Sequence, residues 1–521
     1  MGETAFISTT IPYVNARPHL GHALEYVETD AYARHMASTG ADVYFLTGSD
    51  ENSLKNVLAA EREGLSPREL VDRNVAHFER LLEALNIRYS RFIRTSVDAD
   101  HLDGARLIWE RMGKAGDIYL REYEGLYCVG CEQFYTPEEL VDGKCPEHLV
   151  EPELVSETNY FFRLSRYAEP LLKALDAGEI KVVPQTRFNE VTSFIRAGLE
   201  DISISRSTGR ARGWGIEVPG DPAHVMYVWL DALTNYTNAL GWSRSADEYR
   251  RYWENARRRI HVVGKGVLRF HAVYWPAMLL SAGLPIPTEI VVHGYITASG
   301  RKLSKSLGNA VDPAQLIEQY GVDAVRYFLL ADFSPFGDGD FSEERLVSRY
   351  NTDLANGLGN LVSRATSMTL RYRDGIVPAA AETGPPEASL AQQVVATETG
   401  LLEAMAGYDH KLALTRIWGL VRRTNAYVDE RAPWKLAKAA EAGDATASAA
   451  LDTTLHHLVA AVRQLGALIS AFLPGPGAAI LDTVGSSASS VPSATAWLNG
   501  IEGSKVIKPP AIFPRIEVQE P

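Results

Sequence analysis

Two short runs in this chain hold groups suited to anions, and a third gathers sulfur. Pro18-His19-Leu20-Gly21-His22 sets two imidazoles three apart around a glycine. At a strand-to-helix junction such a run can serve a phosphate. A helix N-terminus offers N–H groups and positive dipole, Gly21 admits close approach, and His19 and His22 add donors. Two polar residues that simply cap a helix fit the same letters. In Gly300-Arg301-Lys302-Leu303-Ser304-Lys305-Ser306-Leu307-Gly308-Asn309, Lys302 and Lys305 alternate with the hydroxyls of Ser304 and Ser306. Mobile ammonium groups of this kind suit a developing pyrophosphate charge, although a solvated basic loop reads the same way. Cys128-Val-Gly-Cys131 is followed after thirteen residues by Cys145-Pro-Glu-His148. Cys128, Cys131, Cys145 and His148 make a Cys3His set for tetrahedral zinc, structural because all four positions are filled. A redox pair or plain buried thiols are the other readings.

The anion-suited groups need elements to carry them. Residues 6–11 are apolar and β-branched and Pro12 closes them, which predicts a strand. Residues 22–36 lack proline and glycine, and Ala23, Val27 and Ala31 recur every four residues, which predicts a helix; residues 43–47 predict the next strand. Strand, helix and strand form a βαβ unit, whose parallel sheet offers ligands the crevice at its strand C-termini. A second alternation, with strands at 261–263 and 290–292 around a helix at 270–282, predicts that both halves share one sheet. Between them, roughly 111–225, lies an insertion with every cysteine. Beyond Asn351 the pattern turns helical, at 354–370, 391–408, 412–429 and 447–473, with loops at 374–389 and 484–496 and a helix ending at Ala432-Pro433-Trp434. The expected fold is α/β. It has a Rossmann-type parallel-sheet domain in two halves (1–111 and 226–295), an insertion with the zinc-type knuckle (112–225), a loop region (296–351) and an all-α helix bundle (352–521).

A length of 521 residues suits three or four units, and 46% hydrophobic with 22% charged residues is ordinary globular usage. The net charge of −13 works against a nucleic-acid partner, since phosphate neutralisation supplies much of such affinity. Local basic runs remain as candidates: Arg257 to Arg259, then Lys411, Arg416, Arg422 and Arg423. No leader and no long apolar stretch is visible, so a cytoplasmic protein without membrane contact is expected. Three clustered cysteines argue against a disulfide framework.

In their order, His19 to His22 and Lys302 to Ser306 resemble the HIGH and KMSKS signatures of class I aminoacyl-tRNA synthetases, with Leu303 for methionine, a volume-conserving change. The cysteine run in an insertion of about 115 residues resembles the single-zinc methionyl-tRNA synthetases and leaves no room for the editing domain of the leucyl, isoleucyl and valyl enzymes. Three further segments are similar to that family: Ile11-Pro12-Tyr13-Val14-Asn15, Tyr227-Val228-Trp229-Leu230-Asp231-Ala232 with Tyr236, and Phe270-His271 with Trp275-Pro276. The resemblance implies that Ile11, Tyr13, Trp229, Ala232, Tyr236, Phe270, His271 and Trp275 line a methionine pocket and that Asp50 holds the α-ammonium. Aromatic walls suit a polarizable thioether. It implies ATP with Mg²⁺ at His19, Gly21, His22, Lys302, Ser304, Lys305 and Ser306, with His19, His22, Lys302 and Lys305 catalytic. It also implies reading of the CAU anticodon by Asn360, Arg364 and Trp434. The expected partners are ATP, L-methionine and tRNA(Met), initiator tRNA included, and the chain, which stops at Pro521, is expected to be a monomer. Asn52-Ser53 stand where many relatives have His-Gly, and Leu233 where many have proline. The alternatives are a cysteinyl-type class I synthetase and a catalytically silent tRNA-binding paralogue.

Overall fold

The computed structural model describes residues 3–128, 133–146, 149–298, 301–302, 311–381, 383–487, 493–508 and 511–517. The chain forms two compact units, Met1–Glu83 with Ile87–Tyr295, and Ala84–Asn86 with Ile296–Pro521.

The first unit is built on a parallel sheet of β1 (Thr4–Ser8), β2 (Asp42–Ser49), β3 (Arg91–Arg94), β4 (Lys181–Val183), β5 (Arg258–Gly264) and β6 (Glu289–His293), in the spatial order β3-β2-β1-β5-β6-β4. Helices that matter to the site are α1 (Leu20–Ser38), α2 (Ala99–Lys114), α3 (Val228–Asn238) and α4 (Trp275–Ala282). Phe6 and Ile7 in β1 and Ile260, Val262 and Val263 in β5 are fully buried. A parallel sheet covered on both faces requires such continuous apolar runs. The two halves of the sequence pattern therefore share one sheet. β1 pairs with β2 on one side and β5 on the other, and the chain order reverses between β1 and β5, which opens the crevice at their carboxyl ends.

Boundaries differ from the sequence pattern for local reasons. β1 ends at Ser8 rather than residue 11, because Pro12 has no N–H and the chain turns away to carry Tyr13. α1 starts at Leu20, since His19 is itself the N-cap. The segment 270–282 is a π turn, Phe270–Tyr274, followed by α4. The inserted region extends a hairpin, Ile118–Cys128 against Glu153–Phe162, and then returns to the main sheet, where β4 pairs with β6 at Val182 and Ile290.

In the second unit, β7 (Ile296–Ala298) pairs antiparallel with β8 (Arg301–Lys302). The helices α5 (Asn360–Arg373), α6 (Pro385–Ala406), α7 (His410–Arg431), α8 (Pro433–Glu441) and α9 (Ala445–Ile469) follow. Pro385, read from sequence as part of a loop, opens α6 in the first helical turn, where its missing N–H costs nothing. Likewise Ala432-Pro433-Trp434 does not merely end a helix. Ala432 closes α7 in the left-handed region at φ 42°, and Pro433 starts α8. Among the described residues no helix is long and apolar enough to cross a membrane.

Candidate active site

The phosphate-suited run lies at the start of α1, where its two histidines cap the helix. His19 Nδ1 accepts from the Gly21 N–H at 3.1 Å, and the His19 N–H donates to His22 Nδ1 at 3.1 Å, a reciprocal cap. The imidazoles stack with centroids 3.9 Å apart. A neutral ring whose Nδ1 accepts must carry its proton on Nε2, so each histidine presents an Nε2–H donor beside the helix N-terminus. A Cβ at position 21 would sit 2.9 Å from His19 Cε1 and would push the capping ring aside.

The segments of the second motif group converge on one cluster in the same unit. Tyr13 pairs with Asp50 as an isolated parallel bridge, and the Asp50 N–H donates to Pro12 O at 2.9 Å. Tyr13 meets Trp229 edge-on at 6.2 Å, and Trp229 stacks on Phe270 at 3.8 Å and 11°. Ile11 packs on the core that includes Tyr236, Phe270 and Trp275, with Ala232 buried in α3. At the base, the His271 Nδ1–H donates to Val267 O at 2.9 Å, so Nε2 accepts from the Tyr236 hydroxyl at 2.7 Å. Burial lowers the His271 pKa to about 4 and raises that of Tyr236, so both stay uncharged near neutrality. Burial also holds His261, hydrogen-bonded to Ser8 at 2.8 Å, well below its usual range. The base suits an uncharged side chain.

The acidic pair at the end of β2 divides its work. The Glu51 carboxylate, fully buried, accepts from Ser49 Oγ at 2.7 Å, from Arg94 Nε at 2.6 Å and from Ser96. Its charge is spent on the fold. Asp50 is 1% exposed and adjoins Tyr13. Lys55 Nζ lies 4.7 Å above the Tyr13 ring.

Sequence reading missed a buried ion pair at the carboxyl edge of the sheet. His293 Nε2 donates to Glu25 Oε2 at 2.9 Å and Nδ1 to Gly294 O at 2.8 Å, so both nitrogens carry protons. Glu25 Oε1 accepts from the Thr10 N–H at 2.7 Å, which joins α1, β6 and the loop after β1. Burial opposes the charge on His293, but the Glu25 hydrogen bond and the nearby Glu28 outweigh it and raise the pKa to about 9. A histidine raised in the fold contributes stability that is full below its unfolded pKa near 6.5 and is lost as pH rises through about 9. Denaturant unfolding at a series of pH values should show stability falling across that window by at most about 1.4 kcal/mol per pH unit. Glu25→Gln should flatten the fall; an equal slope in the variant would contradict this assignment. A signal for the pair in the sequence is absent, since its members lie 268 residues apart.

Other sequence candidates fare unequally. Cys128 and Cys145 are fully buried in one small cluster with Tyr135, and the Cys145 thiol lies 3.5 Å from the Tyr135 hydroxyl. Cys131 and His148 lie outside the described residues, as do Ser304, Lys305 and Ser306; Lys302 is on β8. Asn360 is exposed at the start of α5, Arg364 one turn on donates to Asp429 at 2.9 Å, and Trp434 is 45% exposed on the first turn of α8. Of the Arg257 to Arg259 run, Arg257 is exposed beside Glu3 and the other two are engaged in the fold. Arg258 pairs with Glu289 at 2.7 Å and Arg259 donates to the carbonyls of Trp253, Ala256 and Ile286, because this run enters β5 in the sheet.

The family model described as tRNA synthetases class I (M) matches residues 5–152 and 148–366. A methionine–tRNA ligase of Caldanaerobacter subterraneus subsp. tengcongensis is 43% identical over all of this chain and 80% of its own length. One from Mycobacterium tuberculosis (strain H37Rv) is 44% identical over 99% of this chain and 98% of its own. The solved structure of the Mycobacterium tuberculosis methionyl-tRNA synthetase in complex with methionyl-adenylate aligns at TM-score 0.92 and 42% identity, covering 98% of this chain and 100% of that one. Its apo form aligns at 0.86 and 39%, covering 100% and 99%. With the family signature, the full-length identity and the shared fold in agreement, the chain belongs to the methionyl family of class I tRNA synthetases.

Proposed function

We propose that this chain is a methionine–tRNA ligase. It activates L-methionine with ATP to methionyl-adenylate and transfers the methionyl group to the 3′-terminal ribose of tRNA(Met), initiator tRNA included. The observation that carries the reading is Asp50, a buried acid at the end of β2 adjoining an aromatic, uncharged pocket, in the unit that also holds the Nε2–H donors of His19 and His22. In support, a solved relative 42% identical over 98% of this chain is described as bound to methionyl-adenylate, the product of the first step.

Asp50 takes the substrate ammonium in a charge-assisted contact, which aims the carboxylate. Ile11, Tyr13, Trp229, Ala232, Tyr236, Phe270, His271 and Trp275 enclose the thioether. ATP enters as its Mg²⁺ complex. A carboxylate oxygen forms a bond to the α-phosphorus as the α–β bridging bond breaks, and pyrophosphate leaves with both electrons of that bond. His19 and His22 donate to phosphate oxygens, Lys302 and Lys305 neutralise the leaving group, and Ser304 and Ser306 donate hydrogen bonds to ATP. The ribose hydroxyl then attacks the carbonyl carbon, the bond from that carbon to the phosphate oxygen breaks, and AMP departs with the bonding electrons while the hydroxyl proton passes to its phosphate or to water. Orientation and electrostatics lower the barrier, and no covalent enzyme intermediate is needed.

Zinc fits Cys128 and Cys145, whose sulfurs share one buried cluster, with Cys131 and His148 completing the set; bound there, it would hold the knuckle folded. The expected result is about one zinc per chain by elemental analysis and loss of most of it in Cys145→Ala; equal zinc in the variant would contradict the assignment. The division into catalytic halves, connective insertion, loop region and helical domain is part of this reading, as are the cytoplasm and a monomer. The helical domain reads the anticodon through Asn360, Arg364 and Trp434. An exposed tryptophan on a first helical turn suits stacking on an unpaired base.

The test is charging of tRNA transcripts with labelled methionine. A transcript with a CAU anticodon should be charged and one with an altered anticodon should lose most of its rate. Absence of any methionyl-tRNA would overturn the reading.

A further inference from the structure

Asn52, Asp231 and His101 form a buried hydrogen-bonded chain that plays no part in the chemistry above. Asp231 is 1% exposed, Oδ1 accepts from His101 Nε2 at 2.6 Å, and Oδ2 accepts from Asn52 Nδ2 at 2.7 Å. Three segments meet here. Asn52 lies two residues after Asp50, Asp231 lies between Trp229 and Ala232 in the first turn of α3, and His101 lies in the first turn of α2.

Each end of the chain is itself fixed. The Asn52 side chain also reaches Thr95 O at 3.3 Å, while the Glu51 N–H donates to Thr95 Oγ1 at 2.9 Å. Asn238 of α3 donates to His101 O at 3.2 Å, and a Cβ on Gly104 would fall 2.0 Å from Asn238 Oδ1. α2 and α3 therefore meet at a spacing that leaves no room for adjustment.

A carboxylate withdrawn from water persists only where donors replace the water. Apolar side chains of similar volume would pack α2 on α3 at no greater cost, so helix packing alone does not call for this group. Its second oxygen reaches across to the loop that carries Asp50.

We infer that Asp231 is a positioning residue for the methionine site. It holds the turn bearing Trp229 and Ala232 in register with the loop bearing Asp50. The acid for the substrate ammonium and the aromatic wall for its side chain then keep a fixed separation. A ligand gripped at both ends by different segments binds only as well as that separation is held. The inference rests on the methionine reading of the pocket.

The test is a swap of the two partners, read in methionine-dependent ATP–pyrophosphate exchange on the full chain. Asn52→Asp sets a second carboxylate against Asp231. It should raise KM for methionine about tenfold at about pH 8 while KM for ATP stays within about twofold. Because two carboxylates in one site take up a proton together, KM should fall back as pH drops toward about 6. Adding Asp231→Asn returns a donor and an acceptor to the pair, with the amide oxygen at 231 still accepting from His101, and should restore KM to within about threefold of wild type. An unchanged methionine KM in Asn52→Asp, methionine and ATP KM values rising together, or no recovery in the swap would overturn the inference while leaving methionine activation intact. A wild-type chain without methionine exchange would overturn both.

Discussion

Asp50→Asn is expected to lower kcat/KM for methionine in ATP–pyrophosphate exchange by about 10²- to 10³-fold. The substitution keeps the shape and removes the charge. Leaving a substrate ammonium without its buried partner costs about 2–5 kcal/mol, and Asp50 is 1% exposed at the end of β2, where water cannot take over. Its neighbour makes the contrast. Glu51 is saturated by Arg94, Ser49 and Ser96, so Glu51→Gln should lower the thermal midpoint before it lowers methionine affinity. Equal kinetic losses in both variants would mean that the two acids share the substrate, against the division of labour assigned here.

His22→Ala is expected to lower kcat in the same assay by about 10²- to 10³-fold, the usual loss when one preorganised donor to transition-state charge is removed. KM for methionine should move much less, because the ring addresses phosphate. His19→Ala combines a comparable kinetic loss with about 1 kcal/mol of helix stability, since its Nδ1 is the cap acceptor for Gly21. If His22→Ala raised KM for methionine and left kcat alone, the Nε2–H donors would not act on the phosphates.

The residues proposed above for the small-molecule site stand out in the sequence because they follow short-range grammar. A strand closed by Pro12, a glycine at the helix start and alternating aromatics near Trp229 and Phe270 each carry a local reason. What escaped is set by contacts distant in sequence. His293 and Glu25 are 268 residues apart and His101 and Asp231 are 130 apart, and neither pair leaves a periodic trace. The strand β4 is three residues long, too short to stand out inside an insertion, and only its pairing with β6 reveals it. The run Arg257 to Arg259 reads by composition as one basic surface, whereas Arg258 binds Glu289 and Arg259 binds carbonyls around β5, and only Arg257 stands exposed. Ala432-Pro433-Trp434 ends α7 as its proline suggests, and the same proline, in the first helical turn, also starts α8.

We propose that Asp50 and the uncharged aromatic pocket together select methionine for activation. The most direct test is ATP–pyrophosphate exchange with each of the common amino acids in turn. The account predicts exchange with methionine far above all others. Exchange with cysteine or leucine at a comparable rate would contradict the pocket assignment, and no exchange with any amino acid would contradict the activity itself.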